Sequence, residues 1–498
     1  MSALDADVAI LGCGIVGSYL AARLADAGRR VAVVDVARGP GQPPAAAAPE
    51  IIARDRPHAG IVEARHHEPG GNSAYWGGAM LRVPEADTGP VFNTPVLSVA
   101  AMARGYEQVE RTLGFPYRPR REPWGGDEGI SATQALVLPA STKHMFAARL
   151  APRLDKVASR FDTHIDSLDC SGGTLHAIGL RSADGSTETL RAKQWIACMG
   201  VVDSNLFAQR FSHELFGTPP PALGRYLHDH VSVPLFRVSA KRGGDFLRTF
   251  PPSFIGGFLG VRRFEFDAGP GPGGWNPRAF VHFVFDFDDV PLYADLKRVL
   301  ALRQARAGAS AMIGAGLTLL RHGPGLVQIG AKRFIGKRLH VPPDVPVTAV
   351  LDFETFPHSD NRIELEQADG AGRAGMHWNL REEDFDAFAR LVPVADRLVG
   401  ALAREHGFDA VAVAGRDPAG LRDQLLADGK DILHLGGGLA TSEDANRRVL
   451  NDDLTFPIAR NMRMVSTASL ARASVVNPTH TLLAMAEAVA AMDDSPAD

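Results

Sequence analysis

The segment from Asp7 to Asp35 constrains the fold of this chain more than any other. Asp7-Val-Ala-Ile-Leu11 is a short apolar run of buried-strand character. Gly12-Cys13-Gly14-Ile15-Val16-Gly17 then leads into a helix expected over Ser18–Ala27 and stopped by Gly28. Arg30–Val34 is a second apolar strand, and it ends on Asp35. Each glycine has a physical role in such a unit. Gly12 makes the tight turn, Gly14 lets the backbone approach a pyrophosphate, and Gly17 lets the helix pack closely on the strand. The helix N-terminus suits phosphate, and Asp35 is placed to accept hydrogen bonds from ribose hydroxyls. This order implies an α/β fold with a Rossmann-type unit, and taken alone the unit serves NAD and FAD equally.

At 498 residues the chain exceeds what one hydrophobic core usually serves, so two domains or one large composite are expected. Hydrophobic residues at 45% and charged residues at 22% are the balance of a folded protein. The net charge of -4 argues against a nucleic-acid or anionic-membrane partner, and no basic run is long enough to read as one. Cys13, Cys170 and Cys198 are too few and too scattered for a disulfide framework or a metal-ligand array, which fits a reducing compartment. The N-terminus carries Asp5 and Asp7 and no basic n-region, so neither a signal peptide nor a membrane span is expected and the setting is taken as cytoplasmic.

The rest of the chain decides between the cofactors. After a Gly-, Pro- and Ala-rich loop over Arg38–Glu50 comes Glu68-Pro69-Gly70-Gly71-Asn72-Ser73-Ala74-Tyr75-Trp76-Gly77-Gly78-Ala79. Four glycines around two aromatics suit backbone lying tightly against a flat ligand, with Trp76 fixing the loop. Alternating strands follow at Thr163–Leu168, Leu175–Arg181 and Glu188–Ala192, separated by glycine turns. They lead into a buried strand, Gln194–Cys198, that ends at Met199-Gly200 before a helix over Asp203–Phe211. Residues 236–425 read as another unit. It has strands over Ala279–Phe287 and Val347–Phe353, helices over Tyr293–Ala307 and Glu382–His406, and a Gly/Pro-rich loop over Asp267–Arg278.

The C-terminal residues hold the best chemistry. Ile432-Leu433-His434-Leu435-Gly436-Gly437-Gly438 sets a histidine beside three glycines, so its ring meets little steric obstruction. Asn461–Val465 reads as a strand. Asn477-Pro478-Thr479-His480-Thr481 then opens a final helix to about Ala491, with Asn477 as N-cap and Pro478 at the first helical position.

Together these pieces resemble the glucose–methanol–choline (GMC) oxidoreductases. The glycine fingerprint, the Gly70–Ala79 loop, Gly200, Gly224-Arg225-Tyr226-Leu227-His228-Asp229-His230, the His434 turn and the closing Asn-Pro helix occur in that family's order. The pyranose-oxidase and bacterial sugar-dehydrogenase branch looks nearest. The match there rests on Gly70-Gly71-x-Ser73-x-x-Trp76, Leu433–Gly437, Asn477-Pro478-Thr479 and Glu354-x-x-Pro357-x-x-x-Asn361-Arg362-Ile363.

The resemblance implies a Rossmann-type FAD-binding domain interleaved with a substrate-binding domain of sheet plus helices. The first would be assembled from residues 1–90, 145–235 and 430–498, the second from 91–144 and 236–429. It implies oxidation of a hydroxyl group on a sugar, glycoside or related polyol, with His434 taking the proton and Asn477 holding the oxygen. The cofactor set would be Gly12, Gly14, Ile15, Val16, Gly17, Asp35, Gly71, Asn72, Ser73, Trp76, Gly77, Gly78, Ile165, Gly200, Pro478 and Thr479. Some pyranose oxidases bind FAD covalently through a histidine where this chain has Tyr75, so non-covalent FAD is expected. The electron acceptor is oxygen, a quinone or a protein, and an oligomer is compatible with the sequence.

Departures exist. Gly438-Leu439-Ala440-Thr441-Ser442 replaces a common Gly-Thr-x-x-Met-Gly, and Ser466-Thr467-Ala468-Ser469 stands where an Asp is common. A flavin monooxygenase, an NAD-dependent enzyme or a catalytically impaired flavoprotein subunit are the alternatives. His228-Asp229-His230 lacks a third ligand and is not read as a metal site. His66-His67 reads as a solvated approach to the glycine loop, and Cys13 as a packing residue. His480, where the family often has Leu, is either a substrate contact or a core residue.

Overall fold

Val31-Ala-Val-Val34 is buried at every position, which a strand achieves only in a sheet covered on both faces. The computed structural model describes residues 3–40, 49–62, 65–115, 121–125, 127–271, 274–304, 308–367 and 372–493. The parts of the Arg38–Glu50 and Asp267–Arg278 loops at 41–48 and 272–273, and the end of the expected 293–307 helix, lie outside them.

In the first sheet, Ala3–Leu11 pairs in parallel with Val31–Val34 on one side and Thr187–Ala197 on the other. Val157–Arg160 and Met462–Met464 extend it, also in parallel. Thr163–Ser171, Thr174–Ser182 and the start of Thr187–Ala197 form an antiparallel meander along one edge. The two strands expected at Glu188–Ala192 and Gln194–Cys198 are one strand. Ala3–Leu11 runs beside it without interruption, from Ala3 opposite Thr189 to Leu11 opposite Ala197, so no break is imposed. The first helix begins at Ile15, three residues before the expected start, and runs to Asp26.

The second sheet is antiparallel. It joins Phe408–Ala412, His230–Ala240, Val347–Glu354, Arg278–Phe285, Phe258–Asp267, Asp127–Val137 and Ala79–Met80 in that order. The helix Glu382–His406 buries Phe388, Leu391, Ala395, Leu398 and Leu402 on this sheet's apolar face, a spacing of three and four residues that keeps them on one stripe. A small third sheet pairs Arg362–Gln367, Arg373–His377 and Glu50–Ala53.

The closing helix, Pro478–Asp493, lies inside the molecule between Ile15–Asp26 and Val99–Leu113. Gly105 makes that approach possible, since a Cβ there would sit 2.4 Å from the Ala484 carbonyl oxygen. Packing on both sides fixes the N-terminus of this helix, and with it Asn477.

Candidate active site

A cleft of about 550 Å³ opens at the carboxyl ends of Ala3–Leu11, Val31–Val34 and Thr187–Ala197, where open α/β sheets bind ligands. The two glycine loops form its wall and are fastened to each other. Gly70 N–H donates to the Cys13 carbonyl at 2.8 Å, and a Cβ on Gly71 would stand 3.3 Å from Gly14 Cα. Gly12 (φ +99°) has no room for a side chain against the Cys198–Met199 backbone. A Cβ at Gly14, Gly77 or Gly200 would meet no protein atom within 4 Å, and all three line the cleft. That is a cradle kept open for a ligand.

Sixteen of the eighteen expected site residues line this one cleft: Gly12, Gly14, Ile15, Val16, Asp35, Gly71, Asn72, Trp76, Gly77, Gly78, Ile165, Gly200, His434, Asn477, Pro478 and Thr479. Gly17 and Ser73 do not. A Cβ on Gly17 would lie 1.9 Å from the Gly12 carbonyl oxygen, so Gly17 serves helix–turn packing. The Ser73 hydroxyl is buried, donating to the Gly70 carbonyl at 2.7 Å and accepting Met145 N–H at 3.2 Å. It shapes the loop from behind. Trp76 clamps the same loop through its indole N–H to the Lys143 carbonyl at 3.0 Å, returned by Lys143 Nζ to the Trp76 carbonyl at 2.8 Å.

Asp35 sits at one end of the cleft, its oxygens accepting Cys13 N–H and, at 2.7 Å, Ala37 N–H. Burial pushes its carboxyl pKa up. A cluster that the motifs do not announce lies along the same wall. Asp203, at the start of the helix Val201–Arg210, accepts from Arg65 at 2.6 Å and lies 3.4 Å from His67 Nε2. Burial alone raises the Asp203 pKa, but Arg65 and His67 outweigh it and hold the carboxyl well below the usual range. Asp203 is 138 residues from Arg65 and 136 from His67, so only the fold joins it to them. His66 stacks on the Tyr75 ring at 3.8 Å, and both line the cleft.

At the other end, three backbone and side-chain contacts orient His434. Its N–H and that of His230 both donate to Asp229 Oδ1, at 2.9 and 2.6 Å, while Asp229 Oδ2 lies 3.0 Å from His58 Nε2. The ring nitrogens are ordered by a carbonyl. Nε2 of His230 lies 2.6 Å from the Ser474 carbonyl oxygen, which accepts only, so that nitrogen carries the proton. In the neutral pair, Nδ1 of His230 is then an acceptor, and Nδ1–H of His434 donates to it at 3.2 Å. Nε2 of His434 is left unprotonated, and its lone pair accepts from Asn477 Nδ2 at 3.0 Å. Burial, with His230 close by, lowers the His434 pKa to about 4. A neutral base therefore faces the cleft at ordinary pH.

The Ser474 carbonyl is itself held. Ser474 has φ +61°, its N–H donates to Glu354 Oε2 at 2.8 Å, and its hydroxyl donates to Asp87 Oδ2 at 2.7 Å. Arg472 pairs with Glu354, and Arg278 with Asp87. Leu433, beside the base, also has positive φ (+67°), a costly conformation for a non-glycine residue.

Asp229, His230 and His434 come within 4.8 Å of one another, a spacing that fits a metal. Their facing atoms are already engaged, Asp229 Oδ1 by two backbone N–H groups and the imidazoles by each other. His228 is a core residue, fully buried with its Nε2 3.1 Å from the Leu470 carbonyl oxygen. His480 is likewise core, packed edge-on to Tyr106 and Phe115 away from the cleft. Cys13 is buried, its thiol pKa pushed up to about 12 by desolvation, as suits a packing residue.

With that geometry in place, the relationships to known proteins can be stated. Residues 357–486, which include both His434 and Asn477, match the family model described as GMC oxidoreductase. The whole chain is similar in fold to pyridoxine 4-oxidase from Mesorbium loti, with TM-score 0.58 and 15% identity over 98% of this chain and 99% of that one. It is also similar to formate oxidase, with TM-score 0.54 and 12% identity over 99% and 98%. No curated protein sequence matches the chain. The class to which residues 357–486 are similar is that of the GMC oxidoreductases. That match lies in the C-terminal part of a chain whose mixed α/β fold is of the same kind as the two oxidases.

Proposed function

We propose that the protein is an FAD-dependent enzyme that oxidises a CH–OH group of a small, sugar-like molecule to a carbonyl. The observation that carries this reading is the lone pair of His434 Nε2, held beside the Asn477 amide at the end of a glycine-lined cleft. The residues present fit the cofactor. Gly14, Gly77 and Gly200 leave open backbone, the helix at Ile15 presents its N-terminus, and Asp35 offers acceptor oxygens at the far end. When bound, FAD supplies the acceptor for a hydride. Tyr75, where some relatives have the covalently linked histidine, supports non-covalent binding.

His434 takes the hydroxyl proton on Nε2, and the Asn477 N–H keeps the oxygen in line as it loses that proton. A polyol, glycoside or sugar is the favoured substrate class, on the Gly70–Trp76 and Asn477–Thr479 resemblance. Residues 1–90, 145–235 and 430–498 serve the cofactor, and 91–144 and 236–429 the substrate. Oxygen, a quinone or a protein takes the electrons onward. The three free cysteines suit a cytoplasmic setting. The test is anaerobic addition of sugars, glycosides and polyols to the FAD-loaded protein. Bleaching of the oxidised flavin band by a member of this set is expected, and no bleaching by any hydroxylated compound contradicts the proposal.

A further inference from the structure

The net charge of -4 conceals a strong segregation. Residues 296–343 contain nine Lys or Arg and no Asp or Glu: Lys297, Arg298, Arg303, Arg306, Arg321, Lys332, Arg333, Lys337 and Arg338 are bounded by Asp295 and Asp344. The same stretch forms a helical hairpin, Ala309–Leu320 and Gly323–Phe334. Several of its large apolar side chains face solvent. Ile313, Leu317 and Leu320 recur at helical spacing on the first helix and are 62–67% exposed. Val327 and Phe334, one heptad apart on the second, and Ile335 just after it, are 71–85% exposed.

A globular protein does not leave six large apolar side chains together in water without a use for them. We infer that this hairpin docks the protein on the surface of an anionic lipid bilayer, its apolar stripe lying among the headgroups and acyl ends. The charge pattern selects this occupant. Arg321, Lys332 and Lys337 are exposed beside the apolar stripe, the arrangement that binds acidic headgroups while apolar residues insert. A second copy of this chain meeting the same face would bring like charges together. Among the described residues, no helix is long and apolar enough to cross a membrane, so the hairpin lies on the surface.

The hairpin is fastened to the body of the enzyme. Phe254 N–H donates to the Lys337 carbonyl at 2.7 Å, Leu339 N–H to the Pro252 carbonyl at 2.8 Å, and the Arg333 guanidinium lies 3.5 Å from the Phe254 ring centroid. The strand Ser253–Ile255 pairs with Phe258–Asp267, and Phe258 packs in the cluster that includes Trp76 of the cleft wall. Docking there is thus mechanically continuous with the cleft.

The experiment is flotation of the full-length, FAD-loaded protein with vesicles of equimolar phosphatidylcholine and phosphatidylglycerol, and with vesicles of phosphatidylcholine alone. Wild type is expected to float with the anionic vesicles at least tenfold more than with the neutral ones, and less so as salt rises. A Leu317→Asp, Phe334→Asp double variant should stay in the soluble fraction while keeping its flavin spectrum and melting temperature, because both side chains are solvent-exposed. The proposal is overturned if wild type ignores anionic vesicles or floats equally with both kinds. It is equally overturned if ultracentrifugation shows a dimer that the double variant dissociates, which would make the face a self-association surface.

Discussion

Nδ1 of His434 lies 3.2 Å from Nδ1 of His230, and a backbone carbonyl decides which of the two carries the proton. Ser474 O takes the N–H of His230 Nε2, His230 takes the N–H of His434 Nδ1, and the unprotonated nitrogen of His434 is the one that accepts from Asn477. Orientation and protonation state of the base are thus fixed together.

Replacing His230 by Leu removes the fixed acceptor, and His230 itself does not line the cleft. Flavin reduction should slow roughly 10- to 100-fold, the range seen when partners that orient a functional histidine are lost. His230 also helps to lower the His434 pKa, so the inflection in the pH–rate profile should rise above about 4 in the variant. An unchanged inflection would reduce His230 to a packing residue.

Acid should destabilise the protein early. Burial lowers the pKa of His228 to about 4 and of His480 to about 3, from 6.5 in the unfolded chain. Between those values the unfolded state binds more protons, so the contribution of these residues to stability is full above about 6.5. It falls as pH drops towards 4, by about 1.4 kcal/mol per pH unit for each histidine. Denaturant titrations between pH 7 and 4.5 measure this slope, and replacing His480 by Leu should flatten it.

Two neighbouring glycines should fail differently. Gly14→Leu projects into open cleft and should give a folded but colourless protein, with its melting temperature near that of the wild-type apoprotein. Gly17→Ala drives a methyl into the Gly12 carbonyl and should destabilise the chain by about 3 kcal/mol or more, beyond ordinary overpacking. Flavin absorbance and circular dichroism separate the two outcomes.

Arg472→Met leaves Glu354, fully buried, without its guanidinium. Breaking such a pair from one side costs about 3–5 kcal/mol. Because Glu354 also holds Ser474, the variant should lose catalytic rate as well as stability, and chemical denaturation with parallel rate measurements checks both.

The cleft wall was legible in the sequence because strand, glycines, helix and acid are contiguous and each has a local steric reason. Gly14 and Asp35 needed no tertiary information. His434 and Asn477 are 43 residues apart, and their expected pairing came from the family resemblance. The distance of 3.0 Å came only with the fold. His230 and Ser474 were not foreseen as partners, since nothing local marks a histidine whose acceptor is a carbonyl 244 residues away. Arg65 and Asp203 escaped for the same reason. Strand limits blurred where the register is continuous, as at Lys193, which sits between apolar runs yet belongs to one strand. The exposed hairpin escaped because whole-chain charge averages away a local cationic segment.

The central claim is that His434 is the base for hydroxyl oxidation in an FAD-loaded cleft. The most direct measurement is anaerobic stopped-flow reduction of the bound flavin by a substrate found in the hydroxyl panel, comparing wild type with His434→Ala. The account predicts a rate lower by about 10²–10⁴-fold in the variant with flavin still bound, as expected for loss of a general base. A variant that bleaches at the wild-type rate would contradict it.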